Sequence, residues 1–102
     1  MRILLDESLP RQLGPLIWTV KQMGWAGTRN GPLLRLAASQ HFDIFLTADQ
    51  NVEFQQNLTE LGIAVLVLVA VTNRIESLRP LVPDLLRILP TARPGQVLRI
   101  GA

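Results

Sequence analysis

The sequence of 102 residues contains no cysteine, one histidine and one lysine. Without cysteine the chain can form neither a disulfide nor a thiolate metal site, and a single histidine excludes a histidine-rich metal site. A position at a helix end is the better prediction for that histidine, His41. Charged residues make up only 18% of the chain and hydrophobic residues 48%, a balance that argues against disorder.

The chain also lacks a hydrophobic run long enough to span a bilayer. Its longest apolar run, residues 61–71, is interrupted by Gly62. That run is much shorter than the roughly 20 residues that a transmembrane helix needs. The first residues read as a strand, without the separate basic, apolar and cleavage regions of a signal peptide. We therefore expect a single cytoplasmic domain over residues 1–102, with no membrane partner.

The basic residues are almost all arginine. Nine of the ten are arginine, and the formal net charge is only +2. Arginine remains charged and contacts phosphate in a bidentate geometry. These arginines are scattered along the sequence, so the composition permits a nucleic-acid partner without demonstrating one. Positions on the solvent-exposed surfaces of helices explain these arginines at least as well as a nucleic-acid partner does.

Short apolar segments alternate with helical patterns along the chain. The predicted strands are residues 1–5, 17–20, 44–47, 63–69 and 96–100, and the predicted helices are residues 9–17, 30–40, 51–61 and 75–89. Asn30 is the predicted N-cap of the second helix, and Pro80 and Pro83 should bend or interrupt the last. The leucine stripe of that last helix, which includes Leu86, would serve a homodimer interface as easily as the core. This alternation predicts an α/β domain around a mostly parallel sheet of four or five strands.

Two aspartates follow closely after predicted strands. Asp6 comes after MRILL, and Asp49 comes after IFLTA. In parallel sheets, ligands bind beyond the carboxyl ends of the strands. Neighbouring strands lie roughly 4.8 Å apart, close enough for two carboxylates to share a divalent cation. Glu7 and Glu53 would be able to contribute, whereas Asp43 lies about 20 Å away at the other end of its strand and is predicted to be structural.

Paired carboxylates at one edge indicate a metal site. Close carboxylates repel each other unless one is protonated or a cation intervenes. Oxygen ligands without cysteine favour Mg²⁺ or Mn²⁺, and such an ion activates water for phosphodiester hydrolysis. The alternative is that each aspartate only caps the helix that follows it; for the two together, the metal site is the preferred interpretation. Trp18 and Trp25 are better explained by packing than by base stacking.

Six segments carry a resemblance that covers nearly the whole chain. In order they are ILLDESLP, MGWAG, FDIFLTADQN, TNR, LLRILP and PGQV. Together they resemble the short PIN-like domains of bacterial and archaeal proteins, compact relatives of the VapC-type ribonuclease toxins. That family usually opens with Asp-Glu-Asn-Leu-Pro, where this chain has Ser8 in place of the asparagine. Its Thr-x-Asp signature matches Thr47-Ala48-Asp49.

The resemblance implies a three-layer α/β/α PIN-like fold and a metal-dependent ribonuclease. It further implies the toxin of a toxin–antitoxin pair, with RNA as substrate and a small antitoxin protein covering the site. Asp6, Asp49 and Glu7 are implied to be catalytic. Asp6, Asp49 and Asn30 are implied to hold Mg²⁺ or Mn²⁺. The side chains implied to bind RNA are Asn51, Thr47, Arg74 and Arg11.

The chain departs from the family at TRNGPLL. Asn30 stands where the family commonly has aspartate, and Pro32 stands where it often has glutamate. Fewer carboxylates would bind Mg²⁺ more weakly. An alternative is therefore a catalytically weakened PIN-like module that binds RNA or a partner protein. A phosphoacceptor receiver domain has a similar pattern of acids but needs a lysine near the end of the chain, and Lys21 lies far too early.

Overall fold

The computed structural model describes residues 2–6, 18–48, 58–70 and 74–101. Within them one sheet contains β1 (Ile3–Leu5), β2 (Trp18–Thr19), β3 (Ile44–Thr47), β4 (Ala64–Leu68) and β5 (Val97–Ile100). The α-helices are α1 (Asn30–Ser39), α2 (Leu58–Leu61), α3 (Ile75–Leu78) and α4 (Val82–Ile88). None of these described helices is long and apolar enough to cross a membrane. The predicted helix at 9–17 and most of that at 51–61 lie outside the described residues.

All pairs of neighbouring strands in this sheet are parallel, and their order is β2-β1-β3-β4-β5. β1 has β2 on one side, with Leu4 opposite Trp18, and β3 on the other, with Leu5 opposite Leu46. The chain thus steps outward from β1 to β2 and then crosses back to β3. The carboxyl ends of β1 and β3 flank this reversal, which is where doubly wound sheets bind ligands. The predicted α/β class is confirmed, and β1 and β3 are parallel neighbours, as a site shared by Asp6 and Asp49 requires.

The three central strands, β1, β3 and β4, are covered on both faces, as their apolar sequences require, whereas the edge strands β2 and β5 expose Trp18 and Val97. On one face the strand residues Leu4, Phe45, Val65 and Val67 pack against Leu33, Leu34 and Ala37 of α1. On the other face the strand residues Leu5, Leu46, Leu66, Leu68 and Ile100 pack against Leu78 of α3 and Leu85 of α4. Helices on both faces are compatible with the expected three layers.

The last helical region is divided, as its prolines predict. A 3₁₀ turn over Arg79–Leu81 separates α3 from α4, and Pro80 lies within that turn. Proline has no backbone N–H and clashes with the preceding helical turn, so one continuous helix cannot form there. Leu85 of α4 is 4% exposed, whereas the adjacent Leu86 is 62% exposed. The buried stripe is therefore narrower than the leucine spacing predicts, because it does not include Leu86.

The two ends of α1 differ in how well the sequence predicts them. The N-cap is Arg29, whose backbone is extended (φ −68°, ψ 157°) and whose carbonyl accepts the N–H of Leu33 at 2.8 Å. The prediction that Asn30 is the N-cap is thus wrong by one residue, since Asn30 begins the helix. At the other end His41 has a φ of 62°, and its N–H donates to the carbonyl of Ala38 at 3.1 Å. The helix-end position predicted for His41 is confirmed.

Candidate acidic site

Asp6 lies directly after β1, at the carboxyl edge of the sheet. The register that sets Leu5 opposite Leu46 continues one residue further, so that Asp6 comes beside Thr47. The backbone N–H of Asp6 donates to the carbonyl of Leu46 at 2.9 Å. The parallel ladder therefore holds the backbone of Asp6 against β3, and its side chain is partly buried.

Thr47, the last residue of β3, holds the Asp6 carboxylate in place. Its side chain is 0% exposed, and its hydroxyl donates to Oδ2 of Asp6 at 2.8 Å. A hydrogen bond to a charged group contributes about 1.5–3 kcal/mol net. The two residues are 41 positions apart, so tertiary structure and not a local turn sets this orientation. This contact gives Thr47 a positioning role, and the RNA contact that the resemblance implies for Thr47 stays a prediction.

The remaining predicted site residues are described in part or not at all. Arg74 is exposed and precedes α3, where its carbonyl accepts the N–H groups of Ser77 and Leu78 at 3.0 and 3.1 Å. Asn30 is the first residue of α1, but its side chain is outside the described part. The predicted residues that lie outside the described ranges altogether are Asp49, Glu7, Asn51 and Arg11. Their distances from Asp6 stay predictions.

Whether this edge of the sheet binds a metal ion depends on those residues. Among residues 2–6, 18–48, 58–70 and 74–101, no three histidine, cysteine, aspartate or glutamate side chains form a group that could hold a metal ion. Asp6 contributes an oxygen donor of the kind that Mg²⁺ and Mn²⁺ prefer. The first turn of α1 carries no acid. An ion at this edge would therefore depend on the carboxylates of Asp49 and Glu7 in addition to Asp6.

Asp43 lies at the opposite edge of the sheet, where the prediction places a structural role. Its Oδ2 accepts the backbone N–H of Arg2 at 2.9 Å, and its own N–H donates to the carbonyl of Arg2 at 2.9 Å. These two bonds join the amino ends of β1 and β3. The structural role predicted for Asp43 is confirmed, and Asp43 does not belong to the acidic site.

Arg2 contacts aromatic side chains that the sequence does not predict as its partners. The guanidinium carbon of Arg2 lies 4.5 Å from the ring centroid of Phe42 and 5.6 Å from that of Trp18. The rings of Trp25 and Phe42 meet edge to face, with centroids 6.2 Å apart. The available signal was Arg2 itself, a charged residue inside an otherwise apolar strand. Its partner Trp18 follows only from the pairing of β1 with β2.

Comparison of the chain with protein-family models, with curated proteins and with solved structures gave no match. The resemblance to PIN-like domains therefore stays a prediction from the sequence segments that carry it.

Proposed function

We propose that the chain is a Mg²⁺- or Mn²⁺-dependent ribonuclease of the PIN-like type and the toxin of a toxin–antitoxin pair. It would hydrolyse RNA phosphodiester bonds at the carboxyl edge of the sheet. The observation that carries the proposal is the Asp6 carboxylate, which Thr47 holds where the strand order reverses. Ligands of doubly wound sheets bind at such reversals. The sequence supplies further acids next to Asp6 and two residues after Thr47.

Each predicted residue has a distinct part in this reaction. Asp6 and Asp49, with the side-chain oxygen of Asn30, would hold the divalent ion, and Glu7 would add a further carboxylate. When bound, the ion would activate a water and stabilise negative charge on the phosphate. Thr47 would keep the Asp6 carboxylate in one orientation, so that no conformational entropy of this side chain is lost when a substrate binds. The remaining contacts to RNA would come from Arg74, Arg11 and Asn51.

Metal binding is tested by thermal unfolding with Mn²⁺. At 100 times its Kd a ligand stabilises the folded state by about 2.7 kcal/mol, which corresponds to a rise of roughly 10–20 °C in Tm for a domain of this size. Asp6→Asn and Asp49→Ala should lose that rise. Asp43→Asn removes a carboxylate from the opposite edge and should keep it. A rise that is absent in the wild type, or equally large in Asp6→Asn, contradicts the metal site.

Ribonuclease activity is tested by cleavage of a fluorescent single-stranded RNA in the presence of Mn²⁺. We expect Asp6→Asn to abolish cleavage. Asn30→Asp should increase it, because this change restores a carboxylate where the family has one. Intact RNA with both the wild type and Asn30→Asp would show that the chain is not this kind of enzyme.

The toxin role needs its own test in living cells. Induced expression of the wild type in bacteria should arrest growth, and expression of Asp6→Asn should not. A small antitoxin protein encoded beside this chain should restore growth and purify with it. Equal growth with both variants, under equal expression, contradicts a toxin that depends on the acidic site.

A catalytically weakened module that binds RNA or a partner protein is the second candidate. The first turn of α1, which begins at Asn30, carries no acid, and this favours reduced metal affinity. Under this alternative the wild type binds RNA without cutting it, and Asn30→Asp gains both Mn²⁺ stabilisation and cleavage. Binding without cleavage in the wild type separates the two candidates.

A further inference from the structure

Arg2 and Trp18 form an exposed surface at the amino edge of the sheet. Trp18 is 46% exposed although it belongs to β2. The guanidinium carbon of Arg2 lies 5.6 Å from the ring centroid of Trp18 and 4.5 Å from that of Phe42, which is only 1% exposed. One buried ring and one exposed ring thus hold the guanidinium at the surface. Trp25 supports the buried ring through an edge-to-face contact.

The charge of Arg2 is not neutralised by an ion pair with the described residues. Within them its guanidinium makes only the two ring contacts, and the one carboxylate bonded to Arg2, that of Asp43, accepts its backbone N–H. A guanidinium that contacts rings through its face still has N–H donors along its edge, which match a phosphate. An exposed indole ring offers a face on which a base can stack.

We propose that this surface binds single-stranded nucleic acid, with Arg2 contacting a phosphate and Trp18 stacking on a base. A phosphate next to a base is the chemistry that a fixed guanidinium beside an exposed indole recognises. The negative charge of Asp43, close to the backbone of Arg2, opposes the binding of phosphate, so removal of that charge should strengthen it. The sequence alone favours a packing role for Trp18, whereas the 46% exposure of its side chain favours contact with a ligand.

The surface lies within reach of the acidic site. Arg2 and Asp6 are four strand residues apart on the same face, a distance of roughly 13 Å. A stacked nucleic-acid strand advances about 3.4 Å per nucleotide. Because Leu4, between the two places, is 0% exposed beneath α1, a strand that contacts both must run around the covered face and span more than about four nucleotides. If the proposed function holds, the surface is an outer binding site for the RNA that Asp6 helps to cut. Binding itself does not depend on that function.

The test measures binding in the presence of a chelator, so that cleavage cannot interfere. In a Trp25→Phe variant Trp18 is the only tryptophan, and an eight-nucleotide RNA should quench its fluorescence. By anisotropy of labelled RNA, Arg2→Gln and Trp18→Ala should each bind about tenfold more weakly, since base–aromatic stacking and one phosphate contact are effects of that size. Trp18→Phe should retain most of the affinity. Asp43→Asn should bind more tightly than the wild type.

A matched control separates a specific contact from general charge. Arg87→Gln removes one arginine from α4, on the other face of the sheet, and should change the affinity less than twofold. An equal loss in Arg87→Gln and Arg2→Gln, or RNA binding that does not quench Trp18, overturns the proposal. Binding of a protein to this surface, without binding of single-stranded RNA, also overturns the proposal. Binding is measured without a metal ion and cleavage only with Mn²⁺, so a failed cleavage assay and a failed binding assay are distinguishable.

Discussion

Replacing Thr47 by valine removes one hydroxyl from the carboxyl edge and keeps the shape of the side chain. Thr47 is 0% exposed, and its hydroxyl lies 2.8 Å from Oδ2 of Asp6, so water has no access from the Thr47 side to replace the lost donor. Hydrogen bonds to charged groups contribute about 1.5–3 kcal/mol. We expect a loss of about 2 kcal/mol in the free energy of unfolding, or roughly 8–16 °C in Tm.

Urea unfolding of a double-mutant cycle isolates this bond from the other contacts of the two residues. The cycle compares the wild type, Thr47→Val, Asp6→Ala and the double variant, and we expect a coupling energy of about 1–2 kcal/mol. Thr47→Ser keeps the hydroxyl and serves as the control, because it should remain coupled to Asp6. A coupling below about 0.3 kcal/mol would refute the conclusion that Thr47 positions Asp6, whatever the stability of the single variants.

Further predictions concern three other places in the fold, each measured by urea unfolding. Leu85→Ala should cost about 2–5 kcal/mol and the adjacent Leu86→Ala less than about 0.5 kcal/mol, and equal costs would contradict the packing of α4. His41→Gly should stabilise by about 0.5–1 kcal/mol because it relieves a φ of 62°; a loss would contradict that backbone. Gly101→Ala should destabilise by about 1–3 kcal/mol, since a Cβ there would collide with the carbonyl of Val69 at a φ of 107°, and a neutral result would contradict that close approach.

Much of the sheet could be predicted because its central strands, β1, β3 and β4, are almost entirely apolar. The strand predicted at residues 44–47 is β3 as observed, the one predicted at 63–69 is one residue longer than β4 at each end, and the one predicted at 96–100 begins one residue before β5. A short apolar run bounded by polar or turn residues indicates burial on both faces, which a strand in a covered parallel sheet provides. Pro80 likewise predicted the break between α3 and α4, because the effect of proline on a helix is local: it lacks a backbone N–H and clashes with the preceding turn.

The side-chain contacts could not be predicted in the same way. The hydrogen bond between Thr47 and Asp6 depends on the register of β1 against β3. The sequence around either residue does not indicate that register. The contact of Arg2 with Trp18 depends in the same way on the pairing of β1 with β2. Leu86 continues the leucine spacing, but the rotation of α4 about its axis is set by packing after the 3₁₀ turn. The periodicity of a sequence indicates which side of one helix or strand is buried, whereas each of these contacts joins two elements of secondary structure.

The position of β1 in the sheet determines when the acidic site can form. Residues 3–5 pair with residues 44–46, whereas residues 44–47 pair with residues 64–67, at about half that separation in sequence. Closing a longer loop costs more chain entropy, and distant pairing slows folding. β3 and β4 should therefore join before β1 docks beside them. The contact of Asp6 with Thr47 forms only at that docking step, so the acidic site should be completed late in folding, after the centre of the sheet has formed.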